Sequence, residues 1–309
     1  MKIFRSINDF KTTDDKKTIV TLGTFDGVHI GHKKIIEKLL LSAAIYDCES
    51  LLLTFFPHPR MVLQEKSEIR LLNTLDEKML LLENTGLDNL IIHPFDETFS
   101  RLTAEEFVTE ILVGKFNVRK IIIGYDHRFG RNRTADINDL ILFGEQYGFE
   151  VEQISAQEID AVAVSSTKIR NALNEGNIDL ANQFLGYAYC LSGTVVKGKQ
   201  LGRTIGYPTA NIQIDQDYKL LPKIGVYAIK STIANQTVFG MMNIGHNPTV
   251  GENALTIEVH FFDFNTDIYG QKIDISMLHF LRHEQKFGSL DLLKDQLSKD
   301  RQHALSLVS

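Results

Sequence analysis

Two cysteines in 309 residues, Cys48 and Cys190, cannot make a disulfide framework, and they show no metal-ligand spacing. No run approaches the ~20 apolar residues that span a bilayer. The opening MKIFRSINDFKTT has no apolar stretch of signal-peptide length. A cytoplasmic protein without a membrane partner is expected. A basic surplus is also missing. The formal net charge of −6 leaves nothing to neutralise a nucleic-acid backbone, although a local basic pocket for a nucleotide stays open. Internal repeats and low-complexity segments are absent. What remains is an ordinary globular composition, 43% hydrophobic and 23% charged, in a chain long enough for two domains.

The first half alternates short apolar runs with longer amphipathic ones. Strands are expected at 18–23, 50–56, 89–94 and 120–124, and helices at 31–46, 74–85 and 103–114. Strands apolar throughout and separated by helices predict a parallel sheet buried on both faces. Ligands bind outside the carboxyl ends of such strands. Residues 166–186 read as two short helices joined at Gly176. From about Cys190 to Ser276, alternating runs broken by Gly, Pro and Asn predict an antiparallel sheet or small barrel. Leu290, Leu293, Leu297 and Leu305 then mark a closing helix. The expected boundary lies near 187, giving domains of 1–186 and 187–309.

The end of the first predicted strand carries GTFDGVHIGH (23–32). Its glycines let the backbone turn tightly and come close to a ligand. The helix that follows offers unpaired N–H groups and a positive dipole end, which favour an anion. His29 and His32, at the helix entry, can donate hydrogen bonds to it and stabilise charge developing at phosphorus. A structural turn with incidental histidines is the plainer alternative. A metal pair is weaker, for want of an evident third ligand.

HIGH in this setting resembles the HxGH signature of the nucleotidyltransferase superfamily. The ten-residue version resembles, more narrowly, the bacterial bifunctional riboflavin kinase/FMN adenylyltransferases, or FAD synthetases. VSSTKIR (164–170) is similar to that superfamily's ISSTxxR element. Ser165, Ser166 and Thr167 supply hydroxyls at a helix start, and Arg170 on the first turn can grip a phosphate. An ordinary N-cap with a solvated arginine is the alternative. FFPHPR (55–60) resembles the family's PHP turn, where His58 is either a flavin contact or part of a stiff turn. GYDHRFGRNR (124–133) resembles the substrate loop, with Asp126 the candidate flavin ligand. It departs from the family at His127, commonly an aromatic, and near Ala135, often a glycine. The resemblance implies a doubly wound, Rossmann-like nucleotidyltransferase domain in which Gly23, Phe25 and Gly31 also meet ATP phosphates.

In the second half, GTVVKGKQ (193–200) nearly spells a P-loop, but Gln200 replaces the Ser or Thr that would hold Mg²⁺, and no long helix pattern follows. Gly198, Gly202 and Gly206, with Lys199 and Arg203 among them, still suit a loop folding over phosphates. In an extended PTAN, Thr209 and Asn211 project to one side, where a hydroxyl and an amide oxygen can bind a hard cation. A polar turn after a proline is the alternative. On ALTIEVHFFDF (254–264), Leu255, Ile257, Val259 and Phe261 mark one face, and Glu258 and His260 the other. A carboxylate on the inner face of a small barrel can accept a proton from an attacking hydroxyl. A strand carboxylate in isolation is usually solvent-facing.

GRTIGYPTANI, GVYAI, NIGHNPTVG, IEVHFFDFNTDIYG and FLRHEQKFGSL follow, in order, the pattern of the family's riboflavin kinase domain. The resemblance therefore spans nearly the whole chain. It implies that Glu258 is the general base, that Thr209 and Asn211 hold Mg²⁺ and ATP phosphates, and that the segment around Arg282 contacts flavin. The implied substrates are riboflavin, FMN and ATP, with Mg²⁺ or another divalent cation. Phosphorylation of riboflavin falls to the C-terminal domain and adenylylation of FMN to the N-terminal one. The alternatives are a non-catalytic flavin or nucleotide sensor, and a riboflavin kinase fused to a nucleotidyltransferase of other substrate.

Overall fold

The computed structural model describes residues 1–12, 16–64, 69–124, 128–155, 164–198, 202, 205–246 and 255–308, the side chain of Arg133 excepted. The chain divides into two compact units. One is Met1–Leu71 with Leu75–Val164, and the other is Leu72–Thr74 with Ser165–Ser309. No helix among the described residues is long and apolar enough to cross a membrane.

The first unit is built on six parallel strands: β1 (Lys2–Phe4), β2 (Thr18–Leu22), β3 (Glu49–Phe55), β4 (Asn89–His93), β5 (Val118–Gly124) and β6 (Glu150–Ile154). Their order is β1-β4-β3-β2-β5-β6. Alternate residues of the apolar strands feed two separate cores, as a sheet covered on both faces requires. Ile19, Leu52, Leu90 and Ile122 pack with Ile35, Ile36, Leu39 and Ala43 of the Ile30–Tyr46 helix. Val20, Leu51, Ile91 and Ile121 pack on the other side with Phe107, Val108, Ile111 and Leu112.

The four expected strands are all present. The two that the pattern does not show are edge strands: β1 is only three residues long, and β6 carries Glu150 and Glu152 at alternate positions. The helix expected over 103–114 is wound as a short α segment, Ala104–Glu106, and then a π-helix, Phe107–Val113. From β2 the chain steps to β3 and β4 on one side and then returns to β5 on the other. The carboxyl end of β2 is therefore a topological switch point, where a doubly wound sheet opens its crevice.

The second unit begins with helices Ser166–Glu175 and Ile178–Leu185, separated by Gly176 in the left-handed region (φ 81°). Six antiparallel strands follow: β7 (Cys190–Val196), β8 (Ala210–Gln213), β9 (Gly225–Ile233), β10 (Gln236–His246), β11 (Leu255–Phe261) and β12 (Lys272–Arg282). They close a barrel in the order β10-β11-β8-β7-β12-β9. Leu72–Thr74 joins this unit through the buried Lys219, whose Nζ donates to the Leu72 carbonyl at 2.7 Å. The terminal helix, Leu290–Val308, lays Leu297, Ala304, Leu305 and Val308 over Val226, Ala228 and Met241.

Asp300 on that helix is 4% exposed. It accepts from Arg282 Nε at 2.9 and 3.0 Å, from Arg282 Nη2 at 2.8 Å and from Gln296 at 2.8 Å. Removing one partner of such a pair strands the other charge. Asp300→Ala is expected to destabilise the second unit by ~3 kcal/mol, read as a lowered urea midpoint of its unfolding transition. A loss below ~1 kcal/mol would show a pair that water already screens.

Candidate functional site

At the end of β2 the sequence GTFDGVH turns sharply. Phe25, Gly27 and Val28 all have positive φ (46°, 91° and 35°), and Val28 N–H donates to the Phe25 carbonyl at 3.2 Å. Gly23 N–H donates to Leu53 O at 3.1 Å, and a Cβ on Gly23 would press on the Phe25 ring at 3.2 Å. The Phe25 and Val28 side chains are buried, which anchors the strained turn.

His29 is the N-cap of the Ile30–Tyr46 helix. Its Nδ1 accepts from the His32 N–H at 3.4 Å, so neutral His29 carries its proton on Nε2. The two imidazoles stack with centroids 3.6 Å apart, and Phe25 closes over His32 at 4.8 Å. His32 Nδ1 is buried and has no partner among the described residues. Such an atom calls for a ligand or a water. Gly31 is buried in the first turn of the helix beneath them.

Burial decides the charge state of both rings. Desolvation lowers His29 to about 4. It drives His32 well below 6.5, with His29 and Lys78 pushing the same way. At neutral pH both rings are neutral, each with one N–H to donate. Beside them is the buried amine of Lys78, which the sequence reading passes over. It is 4% exposed, its Nζ donates to the Thr24 carbonyl at 2.8 Å, and Thr54 Oγ1 donates to the same oxygen at 3.1 Å. Burial lowers the Lys78 pKa, while the buried carboxylate of Asp26 raises it. A lysine on the buried stripe of the 74–85 pattern, three residues after Leu75 and four before Leu82, is the signal that marks it.

Ser165 caps the helix Ser166–Glu175, accepting from Lys168 N–H at 3.3 Å. Thr167 is exposed, while Ser166 and Arg170 are half-buried. This element groups with the second unit. His58 caps the short helix Pro59–Leu63, with Nδ1 accepting from Arg60 N–H at 3.1 Å, so the stiff-turn role is occupied. Asp126, Lys199 and Arg203 lie outside the described residues, as does His127. Ala135 is buried and pairs with Phe129.

On β11, Ile257, Val259 and Phe261 are buried on one side of the strand. Val259 is level with Met242 on the neighbouring strand and with Tyr227 on the next, both fully buried. Glu258 and His260 take the other side. His260 is level with Met241 and Ala228, which the terminal helix covers. That side is the outer face. The expectation of an inner-face carboxylate is corrected, because a closed six-stranded barrel fills its interior with side chains.

Register then brings the predicted residues into line. Asn211 stands opposite Glu258, Glu258 opposite Asn243, Asn243 opposite Val226, and Val226 opposite Arg282. Directly opposed residues share a face. A polar row Asn211–Glu258–Asn243 therefore crosses three neighbouring strands, with Arg282 two strands further on. Asn243 was not singled out from the sequence, nor was Glu284, whose carboxylate lies over Gly245 beside the Asn243 amide. A side chain on Gly198 would overlap the Asn211 carboxamide, and one on Gly202 would meet the Tyr207 carbonyl and Thr209 Cγ2. These glycines let the loop backbone lie against the Thr209–Asn211 segment. Arg282 is committed to Asp300.

A tight glycine turn at the switch point of a parallel sheet, and an oxygen-donor row on a small barrel, are the two candidate sites. Known proteins agree. A family model described as FAD synthetase matches residues 11–168, and one described as riboflavin kinase matches 185–308. The bifunctional riboflavin kinase/FMN adenylyltransferase of Listeria monocytogenes is 38% identical over 94% of this chain and 93% of its own. That of Escherichia coli K12 is 35% identical over 97% and 96%. A crystal structure from Streptococcus pneumoniae, described as a macrolide-efflux protein, superposes with a TM-score of 0.88 at 31% identity, covering 97% of each chain. The chain belongs to the bifunctional riboflavin kinase/FMN adenylyltransferase family.

The histidine electrostatics carry a signed prediction. Between about 4 and 6.5 the unfolded chain binds a proton at His29 that the folded chain does not. The stabilising contribution is full above pH 6.5 and is lost as pH falls toward 4. Imidazole ¹⁵N spectra should show both rings neutral at pH 7, with His29 protonated on Nε2. A His29 or His32 titration above pH 6 would contradict the account.

Proposed function

We propose that residues 187–309 phosphorylate riboflavin to FMN and that residues 1–186 adenylylate FMN to FAD. In the kinase step the Glu258 carboxylate takes the proton of the ribityl 5′-hydroxyl as that oxygen attacks the γ-phosphorus of ATP, and ADP leaves. The observation that carries this reading is the direct opposition of Glu258 and Asn211, with Gly198 against the Asn211 amide.

The family reaction implies a divalent cation, and the donors fit one. Thr209 and Asn211 offer a hydroxyl and a carboxamide oxygen, the hard ligands that Mg²⁺ takes together with substrate phosphates. When bound, it supplies charge neutralisation at the β- and γ-phosphates. Gly198, Lys199, Gly202 and Arg203 form the loop assigned to those phosphates.

In the adenylyl step an FMN phosphate oxygen attacks the α-phosphorus of a second ATP, and the bond to the β-phosphate oxygen breaks to release pyrophosphate. The nucleophile is already ionised at neutral pH, since its second pKa is about 6. The step needs donors rather than a base. Neutral His29 and His32, the helix N-terminus and the backbone around Gly23, Phe25 and Gly31 supply them, over the buried amine of Lys78. For Ser165, Ser166, Thr167, Arg170, Asp126 and a flavin contact by His58, the assignment rests on sequence pattern. For Arg282 it means that flavin is met by the segment this residue ties to the terminal helix.

A chromatographic time course with riboflavin, ATP and Mg²⁺ tests the division. The native chain should make FMN and then FAD. Glu258→Gln should slow FMN formation by about 10²–10⁴-fold and still convert added FMN. His32→Ala should accumulate FMN, with FAD formation down about 10²–10³-fold. No FMN from the native chain would end the kinase assignment, and FMN without FAD would end the adenylyltransferase one.

A further inference from the structure

The β8–β11 ladder is short. It pairs Glu258 with Asn211 and Val259 with Ala210, and goes no further. Continued by one residue, the register would set His260 opposite Thr209. At that point a side-chain bond replaces the ladder, with His260 Nδ1 lying 2.8 Å from the Pro208 carbonyl. A carbonyl only accepts, so Nδ1 carries the hydrogen. The ring is fixed from two sides, by Tyr207 at 5.2 Å and Phe262 at 5.8 Å, both edge-on. The bond therefore has a defined donor, a defined direction and little freedom to swing away.

We infer that His260 is a positioning residue of the kinase reaction. Its Nδ1–H holds the Pro208–Thr209 peptide, and so sets the Thr209 hydroxyl and the Asn211 carboxamide at a constant place relative to Glu258. Thr209 precedes the ladder and has no paired residue on β11, so a peptide left to itself could rotate there and carry the hydroxyl off the nucleotide. The Pro208 carbonyl belongs to the peptide unit that leads into Thr209, and fixing its oxygen fixes that plane. Glu258 and His260 lie on the same strand and the same side, which lets one strand carry both the base and the clamp on the opposing segment. The clamp works through a hydrogen at one nitrogen and does not depend on the ring's charge. This inference rests on the assignment of Glu258, Thr209 and Asn211 made above, and the test separates the two.

The test uses the full chain with His260→Asn, His260→Gln and His260→Ala. The asparagine amide nitrogen sits where Nδ1 sits, whereas that of glutamine corresponds to Nε2. In riboflavin phosphorylation, Ala and Gln should raise the KM for ATP about tenfold or more, and Asn should stay within about threefold of the native value. Conversion of added FMN to FAD should be unchanged in all three. Without any nucleotide, hydrogen exchange measured on a peptide covering 205–213 should quicken for Ala and Gln and stay native for Asn.

If the native chain phosphorylates riboflavin and Glu258→Gln abolishes it, but Ala and Gln behave like the native chain, the positioning role is overturned. It is equally overturned if Asn loses as much as Ala, because the donor would then not be what matters. A native chain that makes no FMN removes the underlying assignment instead. Should the Ala and Gln chains fail to fold, the Asn chain decides: native kinetics and exchange support the role, and an impaired KM with faster exchange at 205–213 overturns it.

Discussion

The antiparallel register of β8 on β11 is the constraint from which the proposed chemistry of the barrel follows. It sets Asn211 across from Glu258, and the next pairing sets Asn243 on the other side of the same carboxylate. A shift of one residue would turn Glu258 into the core and bring Val259 out. The apolar interior, with Val259, Met242 and Tyr227 fully buried, thus holds the polar row in place. Glycine completes the arrangement, because only a residue without a side chain lets the 198 backbone lie against the Asn211 amide.

The N-terminal site solves a different problem. Its nucleophile arrives charged, so the protein has to stabilise a polyphosphate without a poised base. In the proposed mechanism two stacked, buried and neutral imidazoles serve as donors, with the Lys78 amine bonded to the Thr24 carbonyl of the same turn. Two imidazolium ions at 3.6 Å would repel each other, and burial prevents both from forming. The proposed mechanism therefore divides two kinds of phosphoryl chemistry between a base-bearing row and a base-free cradle.

Much of this was legible in the sequence. The four central strands are continuous apolar runs, and the helix over Ile35, Leu39 and Ala43 shows its buried face directly. The edge strands were not legible: β1 is only three residues long, and the glutamates of β6 break the continuous apolar run. The site motifs at 23–32 and 207–211 stood out by residue type. The face of Glu258 did not, since alternation tells which residues share a side and not which side is the interior. Asn243 and Glu284 reach the row through strand pairing and a close approach, and neither leaves a mark in linear spacing. Lys78 left a faint one, as a charge on an apolar stripe.

The most direct measurement is a crystal structure of the chain with Mg²⁺, ADP and riboflavin. The account predicts an ion held by Thr209 Oγ1 and Asn211 Oδ1 at about 2.1 Å. It also predicts the ribityl 5′-hydroxyl within roughly 2.6–3.2 Å of the Glu258 carboxylate. An ion and flavin bound away from the Asn211–Glu258 row would contradict it.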